Sequence, residues 1–177
     1  VPGWRLGLRA RLIAAALFYR GKRYRLDEIV RSIVDSDRLR RTELKSARSM
    51  NHRLDVLRHA ARAVDGIDGV AAEFGVARGE SLAVLAEAMP GRQVHGFDSF
   101  DGLPQDWGAL LPKGHFRGPP PRLDRDNVRL HIGLFADTLA PFVADRPRFA
   151  LVHVDCDLYE STTCVLEHVL PLLAPAA

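Results

Sequence analysis

The sequence predicts an α/β fold, a parallel β-sheet preceded by a helical arm, and three observations point to it. After residue 66, short apolar runs alternate with helical patterns, the arrangement of βαβ units. Three of those runs end in an acid, at Glu73, Asp98 and Asp155. Between the first run and its helix lies a turn bounded by Gly75 and Gly79. In open α/β sheets, ligands bind at the carboxyl ends of the strands, so these acids and glycines mark the edge where function is expected.

The arm comes first in the chain. Residues 4–20, 26–34 and 42–64 read as helices from apolar spacing, with a charged bend at 35–41 and a stop at Asp65-Gly66. Strand patterns begin at residue 69. A strand over 69–75 leads into a helix over 81–89, ended by Pro90-Gly91. A second strand, 93–97, is closed by Asp98. Residues 99–126 are rich in glycine and proline, a length of loop that in a compact domain is functional or mobile. Strands at 128–132 and 149–154 and helices at 138–144 and 162–173 complete the pattern. The organisation expected is therefore a helical N-terminal arm, 1–66, and a sheet domain, 67–177.

Composition narrows the class. The chain has 177 residues, of which 47% are hydrophobic and 27% charged, the balance of a globular domain with a real core. No apolar run approaches the roughly 20 residues that cross a bilayer, so no transmembrane segment is expected. Cys156 and Cys164 make neither a disulfide framework nor a metal-site spacing, which fits a reducing, cytoplasmic setting. Residues 1–62 hold 16 Lys/Arg against 6 Asp/Glu, and residues 63–177 hold 9 against 16. A basic arm can serve an anionic partner, but it reads first as a solvated helical face. No interleaving of aromatic and basic residues resembles a nucleic-acid reader, so nucleic acid is not expected as a partner.

Three segments carry chemistry. Residues 73–81 read strand, acid, glycine turn, helix, a backbone able to approach a ligand closely and to present helix N–H groups. The spacing differs from the G-x-G-x-x-G of dinucleotide sites, and an ordinary β–α turn is the plain alternative. Asp98, at the end of the second strand with Ser99 beside it, is placed to accept hydrogen bonds from two ribose hydroxyls, or else to form an Asx-turn. Asp155 and Asp157, two apart at a strand end, suit a hard cation or a general base, or equally a polar turn, with Ser161 or Thr162 as a cap for the next helix. Among the histidines, His95 and His153 read as packed strand residues, and His52 and His59 as solvent-facing. His115 lies in the long loop within reach of a substrate. Phe100, Trp107 and Phe116 there either pack on a substrate ring or pin the loop.

In order and spacing, E-F-G-V-x-x-G-x-S, F-D-S-F-D-G-L-P and D-x-D-L-Y-E-S-T resemble the macrocin O-methyltransferase (TylF-type) family of class I S-adenosylmethionine-dependent methyltransferases. The resemblance covers about residues 40–175 and includes residues 127–139. It implies a Rossmann-like class I methyltransferase fold that transfers a methyl group from S-adenosylmethionine to a hydroxyl of a sugar or other small polar acceptor. It implies that Glu73, Gly75 and Gly79 line the methionine end of the cofactor and that Ser81 also binds the cofactor. Asp98 and Ser99 would hold its ribose, and Gly133 and Phe135 would flank its adenine. Asp155 would be the catalytic residue and a ligand of Mg²⁺. The family continues with a fifth strand and an Asp-Asp pair that completes the metal site, expected roughly 27 residues after Asp155 and so past Ala177. The sheet domain is therefore read as ending before its fifth strand. The alternative to an enzyme is a truncated or degenerate methyltransferase acting as a binding or dimerisation module, with the N-terminal helices as the homodimer contact.

Overall fold

The computed structural model describes residues 26–108 and 111–174, in two compact units that divide between Asn51 and His52. The helix read over 4–20 lies outside the described residues. In the first unit, α1 spans Leu26–Arg41. The charged stretch 35–41, expected to bend, is helical because its charges pair along the helix. Asp37 accepts from Arg40 at 3.1 Å and Arg41 at 2.6 Å, and these guanidiniums hold its carboxyl below the usual range. Residues 42–47 form turns rather than the start of a long helix.

The second unit opens with α2, Arg53–Ala63, where a helix over 42–64 was expected. His52 is exposed and caps it, its Nδ1 accepting from the Leu54 N–H at 3.3 Å. Leu57 and Ala61 of α2 are buried in the same core as the sheet, so residues 52–66 belong with the sheet and not with the arm.

Then follow β1 (Val70–Phe74), α3 (Glu80–Ala88), β2 (Val94–Asp98), β3 (Val128–Ile132), α4 (Phe135–Val143), β4 (Phe149–Val154) and α5 (Tyr159–Val169), with a 3₁₀ turn at Leu170–Leu172. The four strands pair in parallel in the order β3-β2-β1-β4. At the far edge of β4, the Ala174 N–H donates to the Phe149 carbonyl at 2.8 Å, and Leu173 bridges Phe149 in parallel.

Strand alternation builds two cores. Ala71, Val94, Val128 and Leu151 face Leu57, Leu82 and Leu85 of α2 and α3. Ala72, Phe74, Phe97 and Phe149 face Leu139, Val165 and Val169 of α4 and α5. Side chains on a strand point alternately to opposite faces, so a sheet covered by helices on both sides needs apolar residues at nearly every position. His95 packs on the α4 side as expected of a strand histidine, beside His131, their Nδ1 and Nε2 3.0 Å apart, with the ring of His131 stacked on Phe97. Burial pulls His95 down to about 4, helped by the neighbouring His131, and burial lowers His131 too. Among the described residues no helix is long and apolar enough to cross a membrane.

Candidate active site

The chain crosses itself closely where β1 ends. The Gly75 N–H donates to Phe97 O at 2.9 Å, and the Asp155 N–H donates to Phe74 O at 2.8 Å. Gly75 has φ +95°, and a Cβ there would lie 2.1 Å from the Asp155 carbonyl oxygen. Only glycine allows both the turn and that contact.

Asp98 ties the turn down. Its Oδ2 accepts from the Val76 and Ala77 N–H groups, each at 2.8 Å, and its Oδ1 accepts from the Phe100 N–H at 2.8 Å. The last bond is the Asx-turn that the sequence left open. Ala77 and Phe100 both hold positive φ, 46° and 58°, a strained geometry that these charge-assisted bonds help to maintain. A carboxylate offers about four acceptor positions, so after three backbone donors roughly one remains for a ligand.

Glu73 and Gly79 do not line the cleft as expected. Glu73 is fully buried, its Oε1 accepting from the Ser81 hydroxyl and lying 3.7 Å from His153 Nδ1. That separation suits an ion pair but is too long for a hydrogen bond. Its carboxylate raises the pKa of His153 against the lowering effect of burial. Glu73 Oε2 and His153 Nδ1 have no hydrogen-bond partner among the described residues. The reason is alternation, since Glu73 shares the face of Ala71, beneath the helices. Gly79 has φ +80° and gives way to the chain itself, because a Cβ there would meet Pro121 Cγ at 2.9 Å.

At the end of β4, Asp155, Cys156 and Asp157 form a tight turn, with Asp157 at φ +62° and the Leu158 N–H donating to Cys156 O at 2.7 Å. Neither Ser161 nor Thr162 caps the next helix. It starts at Tyr159 behind Leu158, and Thr162 instead meets Cys156 Sγ at 3.4 Å. The carboxylates of Asp155 and Asp157 make no hydrogen bond among the described residues. Burial raises the Asp157 carboxyl, as does the charge of Asp155, while His115 opposes them. Burial likewise raises the Cys156 thiol, so it is a poor nucleophile.

These segments surround a cleft of about 610 Å³ at the carboxyl edge of the sheet, a volume in the range of small-molecule sites. Gly75, Ser81, Asp98, Ser99, Gly133 and Phe135 line it, together with Asp155. Phe135 is the first residue of α4 rather than part of a turn before a helix at 138. The cleft also takes in residues that the sequence had not placed there. Arg53 comes from α2, held by Glu80 at 2.8 Å, and Glu160 and Cys164 come from α5. Arg53 carried no recognisable signal, since its arrival depends on α2 packing against the sheet. Leu103, Pro104 and Phe116 reach the cleft from the long loop. Among the described residues, no three His, Cys, Asp or Glu side chains gather as a metal site. Two carboxylates are too few for a hard divalent cation, so Mg²⁺ does not fit these residues alone.

A parallel sheet ordered β3-β2-β1-β4, with its cleft at the strand carboxyl ends, is a Rossmann-like class I methyltransferase fold. The chain belongs to the methyltransferase-domain family, which it matches over residues 72–177. It is 37% identical over 149 residues to the 8-demethyl-8-(2,3-dimethoxy-alpha-L-rhamnosyl)-tetracenomycin-C 4'-O-methyltransferase of Streptomyces olivaceus, covering 70% of this chain and 56% of that protein. The chain thus spans little more than half the length of that relative. The calicheamicin methyltransferase CalS11 has the same fold, with TM-score 0.61 and 23% identity over 96% of this chain and 79% of that one. An apo structure of CalS11, named there as a TDP-rhamnose 3'-O-methyltransferase, gives TM-score 0.51 at 23% identity over 94% and 73%. The O-methyltransferase NovP gives TM-score 0.52 at 28% identity over 69% and 60%.

Proposed function

We propose that this chain is the cofactor-binding part of an S-adenosylmethionine-dependent O-methyltransferase of the macrocin type, acting on a hydroxyl of a sugar or other small polar acceptor. One observation carries this reading. A single cleft holds the Asp98-clamped glycine turn and the two carboxylates, Asp155 and Asp157, that have no hydrogen-bond partner among the described residues. The names of the tetracenomycin and calicheamicin relatives, which both include a rhamnose unit, support a deoxysugar as the acceptor class.

S-adenosylmethionine, when bound, would supply an activated methyl group for transfer to the acceptor oxygen. The chain's own residues bind and orient. Asp98 would offer its remaining acceptor position, and Ser99 its hydroxyl, to the ribose, while Gly133 and Phe135 would bound the space for the adenine. Ser81, held by buried Glu73 at the start of α3, would meet the methionine end. Asp155 accepts a hydrogen bond from the acceptor hydroxyl and takes its proton as the new bond forms, which makes the oxygen a nucleophile at the moment of transfer. A magnesium requirement would need oxygen ligands in addition to Asp155, and loss of turnover on chelation would reveal it.

Calorimetry with S-adenosylhomocysteine, followed by transfer of labelled methyl from S-adenosylmethionine to rhamnosides, tests the proposal. Failure of the folded protein to bind S-adenosylhomocysteine would sink it.

A further inference from the structure

Three aromatic side chains of the long loop are candidates to meet a substrate ring, and their surroundings separate them. Phe100 is buried in the core beneath α2 and α3. Trp107 bridges to Leu111 and stands outside the cleft. Phe116 is 52% exposed and lines the cleft.

The backbone under Phe116 is fixed rather than loose. It has φ +70°, a left-handed conformation that bulky side chains rarely adopt. The Leu103 N–H donates to His115 O at 2.9 Å, the Gly118 N–H to Phe100 O at 3.1 Å, and the Arg117 N–H to Gly114 O at 3.2 Å. Gly102 admits this crossing, since a Cβ there would lie 2.3 Å from the His115 carbonyl oxygen. The His115 ring supports Phe116 edge to face, with centroids 4.4 Å apart. A large apolar ring held in a strained conformation, yet left half exposed in a cleft, is arranged for what it meets there. The same cleft carries Asp155, Asp157 and Glu160. An aromatic face together with carboxylates matches a cyclic polyol, whose C–H face lies on the ring while its hydroxyls reach the acids.

We propose that Phe116 is the platform for the acceptor's ring and sets a preference for cyclic over open-chain acceptors. This rests on the sugar-methylation reading above and adds to it the residue that selects ring shape.

The test uses protein saturated with S-adenosylhomocysteine, with methyl α-L-rhamnopyranoside and open-chain L-rhamnitol as probes in saturation-transfer NMR. Wild-type protein should bind the rhamnoside, with the C–H protons of one ring face most strongly saturated. Phe116→Ala should weaken rhamnoside binding about tenfold, and Phe116→Tyr should restore it to within about twofold. Rhamnitol should bind more weakly and be indifferent to either substitution. S-adenosylhomocysteine affinity, read by calorimetry, should be unchanged in Phe116→Ala. Equal rhamnoside affinity in wild type and Phe116→Ala would overturn the proposal, as would failure of the loaded wild type to bind the rhamnoside. Loss of S-adenosylhomocysteine binding in Phe116→Ala would also overturn it, by making Phe116 a cofactor contact. Failure of wild-type protein to bind S-adenosylhomocysteine strikes the methyltransferase reading itself, a separate result.

Discussion

Asp98 and Asp155 stand at the ends of β2 and β4, the two strands that flank β1, and line the same cleft, yet their carboxylates live differently. Asp98 accepts three backbone N–H bonds, all at 2.8 Å, from the glycine turn and the loop after β2. Asp155 accepts none among the described residues, although its backbone N–H and carbonyl sit at the tight junction with Phe74 and Gly75. One carboxylate shapes the site, and the other is left for what enters it. A group whose acceptor positions are filled by the chain holds a fixed orientation. An unfilled one near a second carboxylate keeps an unmet demand that an incoming hydroxyl or cation can answer.

The contrast can be broken by substitution, starting with the junction that both halves share. Gly75→Val should have the largest effect, at least about 3 kcal/mol of stability, because it drives a branched side chain into the Asp155 backbone at a positive φ. Urea unfolding measures it, and full stability with full S-adenosylhomocysteine affinity would remove Gly75 from the junction. Asp98→Ala should come next. Three N–H groups lose a charged acceptor, and cofactor affinity should fall by about 1–3 kcal/mol with a parallel loss of stability. An unchanged dissociation constant in a folded variant would reduce Asp98 to a turn residue.

Asp155→Asn sharpens the comparison from the other side. Stability should move by less than about 0.5 kcal/mol, and cofactor affinity should stay within about threefold, roughly 0.7 kcal/mol, while methyl transfer is lost. A loss of stability as large as that of Asp98→Ala would erase the distinction.

The smallest effect is a pH slope, because two histidines on opposite faces of the sheet pull against each other. His95 is held down to about 4, so the native state loses stability as pH falls from about 6.5 toward 4 and the unfolded chain takes a proton that native His95 refuses. His153 is raised by Glu73, so its contribution is fully present below about pH 6.5 and is lost as pH rises through its folded value. Urea midpoints between pH 5 and 8 should therefore show His95→Phe flattening the acid side and His153→Phe the alkaline side. An alkaline side left unchanged by His153→Phe would mean that Glu73 does not raise His153 in the folded protein.

Much of the fold was legible because its signals are local. The strands 128–132 and 149–154 match the observed β3 and β4, and β1, β2 and α3 fall within a residue or two of their apolar runs. Asp98 and Asp155 were readable as site candidates because an acid closing an apolar strand must emerge at the sheet's carboxyl edge. The helical arm was read less well. Apolar spacing over 42–64 resembles one helix, but the chain turns at 42–47 and reserves 53–63 for packing on the sheet.

By itself, the sequence determined the α/β alternation, the carboxylates at the strand ends and a glycine-bounded turn between β1 and α3, since periodicity and turn composition involve only neighbouring residues. Tertiary structure decided which of those residues face the cleft. Glu73 turned inward to Ser81 and His153, and Gly79 made room for Pro121. Arg53 entered the cleft from a helix with no strand or glycine signal, and of the loop aromatics read as substrate-facing or loop-pinning only Phe116 lines the cleft. The physical reason is that a side chain's surroundings are set by whichever distant backbone packs against it. The close contacts of Gly75 with Asp155 and of Gly79 with Pro121 exist only once the sheet has brought those segments together.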